Sequence, residues 1–425
     1  MKILLINLYC ILFLTLIASA QKKELTLINP LAQPRTDELI VIKRFSVQNL
    51  LGGKNKASYL NITDPSGKEL LVQFNDLNLD GNWDEAVFLY SFKPSEKVKF
   101  IVTGTNKQHN EAVVRAHVRH RRKNANDTFA PAINRDSIPA GQANTDFSKT
   151  KLPPFLTEGP AWENDKVGFR LYFDVRNGKD IWGKTTSAMM MDTVGANPAL
   201  IYHNRADWGM DVYKVGSSLS AGALAINIKL KNGKDSLIRL GGKNMGKVIY
   251  QKIVDGPLEA KFKMTYPEWN FASGYNPIFL EEEISIWGGQ YFYESKIKVI
   301  GAPKGSNLVT GFADLFKIDA ATINTKNTQV YYSYGLQSEN KDNLGLAVMT
   351  PKSEVIATGK SAATEKDIKN SYLVSFKIPE KEFATFRFYA AWAPTDKRFA
   401  DKTSFEQFLQ QQAAYYDAKI TMQWK

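Results

Sequence analysis

Short runs in which apolar and polar residues alternate recur along this chain, and a period of two is satisfied only by strands with one buried face. Such runs cover residues 41–47, 70–74, 98–102, 112–120, 168–175, 261–266, 283–287 and 291–300. Turn-forming sequences punctuate them, as at residues 64–67, 177–179 and 231–234, in the manner of hairpins. Helical periodicity is confined to the C-terminal stretch, where Ser404 is placed to cap a helix carrying Phe405, Phe408, Leu409 and Ala413. The expected fold is therefore all-β: a large antiparallel β-sandwich over residues 155–425 with a short C-terminal helix, preceded by a smaller β-unit. The smaller unit is expected over residues 21–130, and a linker rich in Asn, Asp, Pro and Gly over residues 131–154.

A chain of 425 residues, 44% hydrophobic and 23% charged, can bury such a core without cross-links, which excludes a disordered or coiled-coil protein. Lys2, the apolar run 3–17 and the A-x-A site Ala18-Ser19-Ala20 read as a signal peptide over residues 1–20. The mature protein is thus expected in the periplasm or outside the cell, and no later segment approaches the ~20 apolar residues of a membrane span. Cys10, the single cysteine, leaves with the signal, which excludes disulfides, thiol catalysis and thiolate metal sites. Its position inside the apolar run, after Asn7-Leu8-Tyr9, does not suit a lipid anchor. The loop 241–247 is a near-match to a phosphate-binding loop, but Val248 stands where the Mg²⁺-binding hydroxyl is needed. With nucleotide chemistry set aside, the net charge of +12 favours acidic glycans over nucleic acid as partners.

The most specific local pattern is Asp76-Leu77-Asn78-Leu79-Asp80-Gly81-Asn82-Trp83-Asp84-Glu85. Side-chain oxygens at alternate positions around a glycine turn suit a hard cation, so Asp76, Asn78, Asp80 and Asp84, with Glu85, are candidate ligands for a structural Ca²⁺. The same residue types also build metal-free turns. In residues 115–121 strand alternation places Arg115, His117, Arg119 and Arg121 on one face, where they need carboxylate partners or an anionic ligand. After Trp162 and Glu163, Phe169, Leu171 and Phe173 are expected to face a core, leaving Arg170, Tyr172 and Asp174 for a sugar-binding surface or for mutual pairing.

Residues 202–211 gather chemistry in what reads as a loop: Tyr202, His203, Arg205, Asp207, Trp208 and Asp211. A uronate lyase needs a carboxylate neutraliser, a base for the C5 proton and an acid for the leaving oxygen, and Arg205, His203 and Tyr202 are of the right types. Glycoside hydrolysis needs paired carboxylates instead. Glu163, Asp207, Asp211, Glu281 and Glu283 are candidates for that, with Glu281 and Glu283 on one strand face and Glu282 turned inward. A non-catalytic glycan-binding protein would need the aromatic and basic residues alone.

Residues 162–174 and 207–216, with the Asp/Gly-rich segment 76–85 and the Ala86-Val87-Phe88-Leu89 that follows it, resemble an uncharacterised bacterial domain-of-unknown-function family. That resemblance implies an exported protein of a polysaccharide-utilisation system, often one for uronic-acid glycans. The architecture is also similar to the galactose-mutarotase-like β-supersandwich, a fold shared by epimerases, lyases and hydrolases, so it does not name a reaction.

Overall fold

The computed structural model describes residues 22–51, 57–108, 112–365, 367–380 and 382–425. The expected signal peptide and Cys10 lie outside them. As the alternation requires, the described residues form antiparallel strands with a single α-helix, Lys402–Asp417. The largest element is a nine-stranded sheet in the order Ala320–Asn324, Thr328–Leu336, Asn343–Pro351, Ala384–Trp392, Phe292–Ile300, Ile278–Trp287, Glu259–Trp269, Val248–Asp255 and Arg135–Ile138. Two five-stranded sheets share a core with it. One runs Asp235–Arg239, Ala225–Lys229, Asn307–Ala313, Ser371–Lys377, Val355–Lys360; the other runs Gly209–Asp211, Lys179–Lys184, Val167–Leu171, Ala161–Asn164, Ala116–Arg119.

Period-two patterning explains the layering. Phe169, Leu171, Phe173, Ile181 and Val212 enter the shared core together with Phe262, Ile284, Phe386 and Phe388 of the large sheet. The other face of that sheet carries Tyr332, Met349 and Tyr389, which pack on Phe405, Phe408 and Leu409 of the helix. The helix cap is Asp401, whose carboxylate accepts from Ser404 N at 2.9 Å, so the expected role of Ser404 passes to the residue three positions earlier.

A smaller sandwich packs beside this body, with a core of its own that includes Leu25, Ile42, Phe88 and Phe100. Its sheets run Thr421–Trp424, Lys22–Ile28, Lys97–Thr105, Tyr59–Thr63 and Arg35–Lys43, Glu85–Phe92, Gln73–Asn75. The boundaries read from composition are displaced. The C-terminal strand Thr421–Trp424 returns to the small sandwich, Ala116–Arg119 belongs to the body, and the expected linker contributes the edge strand Arg135–Ile138 to the nine-stranded sheet. The glycine-rich loop 241–247 makes a short turn at Lys243–Met245 and leads into strand Val248–Asp255, not into the helix a phosphate-binding loop requires.

Candidate functional site

Three neighbouring strands of the second five-stranded sheet, Val167–Leu171, Lys179–Lys184 and Gly209–Asp211, put Phe169, Leu171, Ile181 and Met210 into the core and Arg170, Asp180, Trp182 and Asp211 on the opposite face. Arg170 lies directly across from Asp180, and Trp182 across from Asp211. The Arg170 guanidinium is buried there. It donates to Asp180 Oδ2 at 2.7 Å, to Asp211 Oδ2 at 2.8 Å, to Tyr172 at 2.9 Å, to Tyr202 at 3.3 Å and to Glu158 at 3.4 Å. The rings of Tyr172, Trp182 and Tyr202 lie about it. Burial disfavours its charge, but the surrounding phenols and carboxylates outweigh that and hold Arg170 more firmly protonated than usual. Burial likewise pushes the Asp211 carboxyl well up, with Asp180 adding to the effect and Arg170 opposing it. Burial also raises the Tyr172 and Tyr202 phenols, which keeps them protonated.

His203 stands at the rim of this cluster with 49% of its side chain exposed. Its Nδ1 is 3.3 Å from Glu339 Oε2 and 3.7 Å from Asp211 Oδ2. Glu339 comes from the turn between two strands of the nine-stranded sheet, and its amide donates to Val212 O at 2.9 Å, so the site straddles both sheets. The Tyr202 ring lies 4.7 Å from the imidazole. Arg205 sits over the Trp392 ring at 5.3 Å, and Trp392 in turn donates to Asp342 at 2.6 Å. Gly183 permits that placement, since a Cβ there would lie 2.4 Å from the Trp392 ring. Tyr202 and His203 open into a cleft of about 290 Å³ whose walls include Leu152, Pro153, Thr157 and Ile201. Beneath it Thr157 and Glu158 both take left-handed backbone, at φ 48° and 66°, a strained conformation that clusters at functional positions.

Of the residues singled out from sequence, Arg170, Tyr172, Tyr202, His203 and Asp211 thus form one cluster, with Arg205 at its edge. The others go elsewhere. Trp208 packs on Trp182 at 5.8 Å, and Asp207 is exposed on the same loop. Trp162 is wholly within the core. Glu163 is buried against Lys184 and accepts from the amides of Met190 and Met191, which pins the loop that follows. The basic strand finds its partners inside the protein. Arg115 spans Asp37 and Asp165, His117 bridges Asp192 and Asp255, and Arg119 is buried on Thr157 and the carbonyls of Leu156, Gly159 and Met191. Arg170 does not pair with Asp174, which is held by Arg176. Glu282 turns inward as expected, to Lys179 at 2.7 Å, while Glu281 and Glu283 meet Lys263 and Lys261.

Sequence reasoning missed Glu158, Asp180 and Glu339. Asp180 was within reach, because the turn at 177–179 sets it opposite Arg170 in the hairpin; nothing in the primary structure links Glu339 to His203.

The Asp-rich loop is exposed and turned on itself. Asp76 accepts from the amides of Asp80 and Gly81, Asn78 from Asp80, Asp80 from Asn82, and Asp84 from Leu77. Glu85 pairs with Lys43. Among the described residues no group of three or more His, Cys, Asp or Glu is gathered as metal ligands, and no helix is long and apolar enough to cross a membrane.

Comparison with known proteins gives a family without a reaction. The chain is 25% identical to "Uncharacterized protein P7" of Formosa agariphila, over 96% of this chain and 95% of that one. Among solved structures it is similar to an alpha-mannosidase from Enterococcus faecalis V583, with a TM-score of 0.45 at 10% identity, covering 95% of this chain and 46% of that one. A protein in the glycosyl hydrolase family 38 from Enterococcus faecalis gives 0.45 at 12% identity, over 95% and 47%. The chain spans about half the length of these solved structures. With residues 27–422 matched, it belongs to the family described as "Domain of unknown function (DUF4861)".

Proposed function

We propose that the chain is an exported carbohydrate-active enzyme that acts on uronic-acid glycans or their oligosaccharides by β-elimination, in the cleft beside His203. One observation carries this reading: an accessible imidazole has its Nδ1 flanked by Asp211 and Glu339, with the Tyr202 ring 4.7 Å away and Arg205 in the same loop. Glu339, 3.3 Å from Nδ1, is placed to take the imidazole proton on that side, which leaves Nε2 as the base. His203 then takes the C5 proton, the electron pair forms the C4–C5 double bond, the C4–O bond breaks, and Tyr202 gives its proton to the leaving oxygen. Arg205 neutralises the uronate carboxylate and so acidifies C5–H.

Glycoside hydrolysis is the second reading, because Asp211 and Glu339 are two carboxyls on one imidazole. Its difficulty is access: Asp211 is 1% exposed and spent on Arg170, whereas Glu339 is 29% exposed. A panel of uronate-containing polysaccharides and oligosaccharides tests all readings. Elimination yields products absorbing through the new double bond, and His203→Ala should lower kcat by about 10²–10⁴-fold with substrate binding retained. New reducing ends without that absorbance would favour hydrolysis, and binding without product would leave a glycan-binding protein.

A further inference from the structure

A second cavity, of about 500 Å³, lies between the small sandwich, the outer face of the nine-stranded sheet and the C-terminal helix. That volume is within the roughly 300–1,000 Å³ of small-molecule sites. The cavity shares no lining residue with the His203 cleft. Three parts of the chain build it: Arg35 from strand Arg35–Lys43, Lys296 and Arg387 from adjacent strands of the large sheet, and Tyr416 and Lys419 from the helix and the turn after it.

Its charge does not balance. Against the four cations Arg35, Lys296, Arg387 and Lys419 the lining sets two carboxylates, Glu38 and Glu294. Both are already engaged, Glu38 by Arg35 at 3.6 Å and Glu294 by Arg387 Nε at 3.1 Å and Lys296 at 3.7 Å. Lys419 makes no ion pair with a described residue.

The Arg387 guanidinium is also held in one plane. It lies 4.5 Å from the Phe292 ring, 4.9 Å from Tyr416 and 5.4 Å from Trp287, and its side chain keeps 18% exposure. Glu294 takes only its Nε edge, and neither Nη makes a hydrogen bond to a described residue. A planar fork locked by aromatic rings, with one edge free, fits an oxyanion accepting two parallel N–H bonds. Enclosed cations cost free energy until a counter-charge joins them. Beside the fork, Gln412, whose Oε1 accepts from Tyr389 at 3.4 Å, offers its amide nitrogen, and Tyr415, whose hydroxyl donates to Pro34 O, offers a lone pair to a sugar hydroxyl.

We propose that this cavity is a binding site for an anionic sugar, whose carboxylate or sulfate group sits on Arg387 and Lys419 and whose hydroxyls face Gln412 and Tyr415. The proposal is independent of any reaction at His203. Occupancy ties the small sandwich, the large sheet and the helix together, so the ligand stabilises their mutual packing.

Isothermal titration of the full chain with glucuronate, glucose 6-sulfate and glucose tests it. At least one anion should bind and raise the melting temperature, glucose should do neither, and the tighter anion identifies the group preferred. Arg387→Gln should weaken binding at least about tenfold and Lys419→Gln about threefold. Lys419 is exposed, so its variant keeps the test decisive if Arg387→Gln fails to fold. Binding of neither anion to folded protein, or equal binding by wild type and Lys419→Gln, would overturn the proposal.

Discussion

Arg170 shows how much one buried side chain organises here. Asp180, Asp211 and Glu158 all lean on its charge, and no second cation reaches Asp180 or Asp211 within the sheet. Arg170→Ala should therefore destabilise the fold by about 3–5 kcal/mol in urea denaturation, because it leaves buried carboxylates uncompensated. A loss under 1 kcal/mol would mean that those groups simply take up protons. His117 makes a pH-dependent contribution. Burial opposes its charge, but hydrogen bonds to Asp192 and Asp255 prevail and raise its pKa from 6.5 to about 9. A value raised in the folded state means that this stability is complete below pH 6.5 and is lost as pH climbs through about 9. Asp192 is half exposed, which screens the effect to about 1–2 kcal/mol. Denaturation midpoints should fall between pH 6.5 and 9, and His117→Gln should flatten that slope. Arg170 was legible as a candidate because polar residues alternate against a visible core face, and Tyr202, His203 and Asp211 because functional side chains crowd one loop. Their partners Glu158 and Glu339 were not, because Glu158 lies in a short turn outside the alternating strands and Glu339 comes from a turn of the nine-stranded sheet.

Among the elements, hairpins were the easiest to read. Gly233 adopts φ 82° in the turn between Ala225–Lys229 and Asp235–Arg239, a conformation that glycine takes without strain. The Asp76–Glu85 segment likewise reads as a tight turn, with Gly81 at φ 89°. Calcium binding there is a separate proposal, supported by the alternation of Asp76, Asn78 and Asp80 around that glycine. Calcium that binds only the folded state would add about 2.7 kcal/mol at a hundredfold excess over Kd. Chelation should then lower the melting temperature, and Asp80→Ala should remove the difference. Identical melting of wild type in calcium and in chelator would leave the loop as a turn closed by its own amides. The basic strand is the opposite case. Its one-sided pattern was evident, but the carboxylates that meet it, Asp37, Asp165, Asp192 and Asp255, lie far apart in the chain.

At the scale of the whole molecule, the small sandwich is completed from the far end of the chain. Leu25 pairs with Trp424 and Leu27 with Met422. Removing residues 421–425 should expose the edge of strand Lys22–Ile28 and split unfolding into two steps, the small sandwich melting first; one unchanged transition would show that the last strand adds little. Docking between the units combines apolar packing of Leu39 and Leu89 on the cluster that includes Trp287 and Phe292 with polar contacts: Asn75 donates to Glu259 at 2.7 Å, and Arg115 grips Asp37 with two nitrogens. Period-two alternation and turn residues are local properties, and they were enough to establish an all-β chain, the core faces of individual strands and the single C-terminal helix. Which sheet each strand joins, where the small unit ends and which carboxylates face His203 and Arg170 depend on pairings between distant residues. Strand edges offer the same backbone groups to any partner, so that choice was made by the burial of all the apolar faces together, in the tertiary structure.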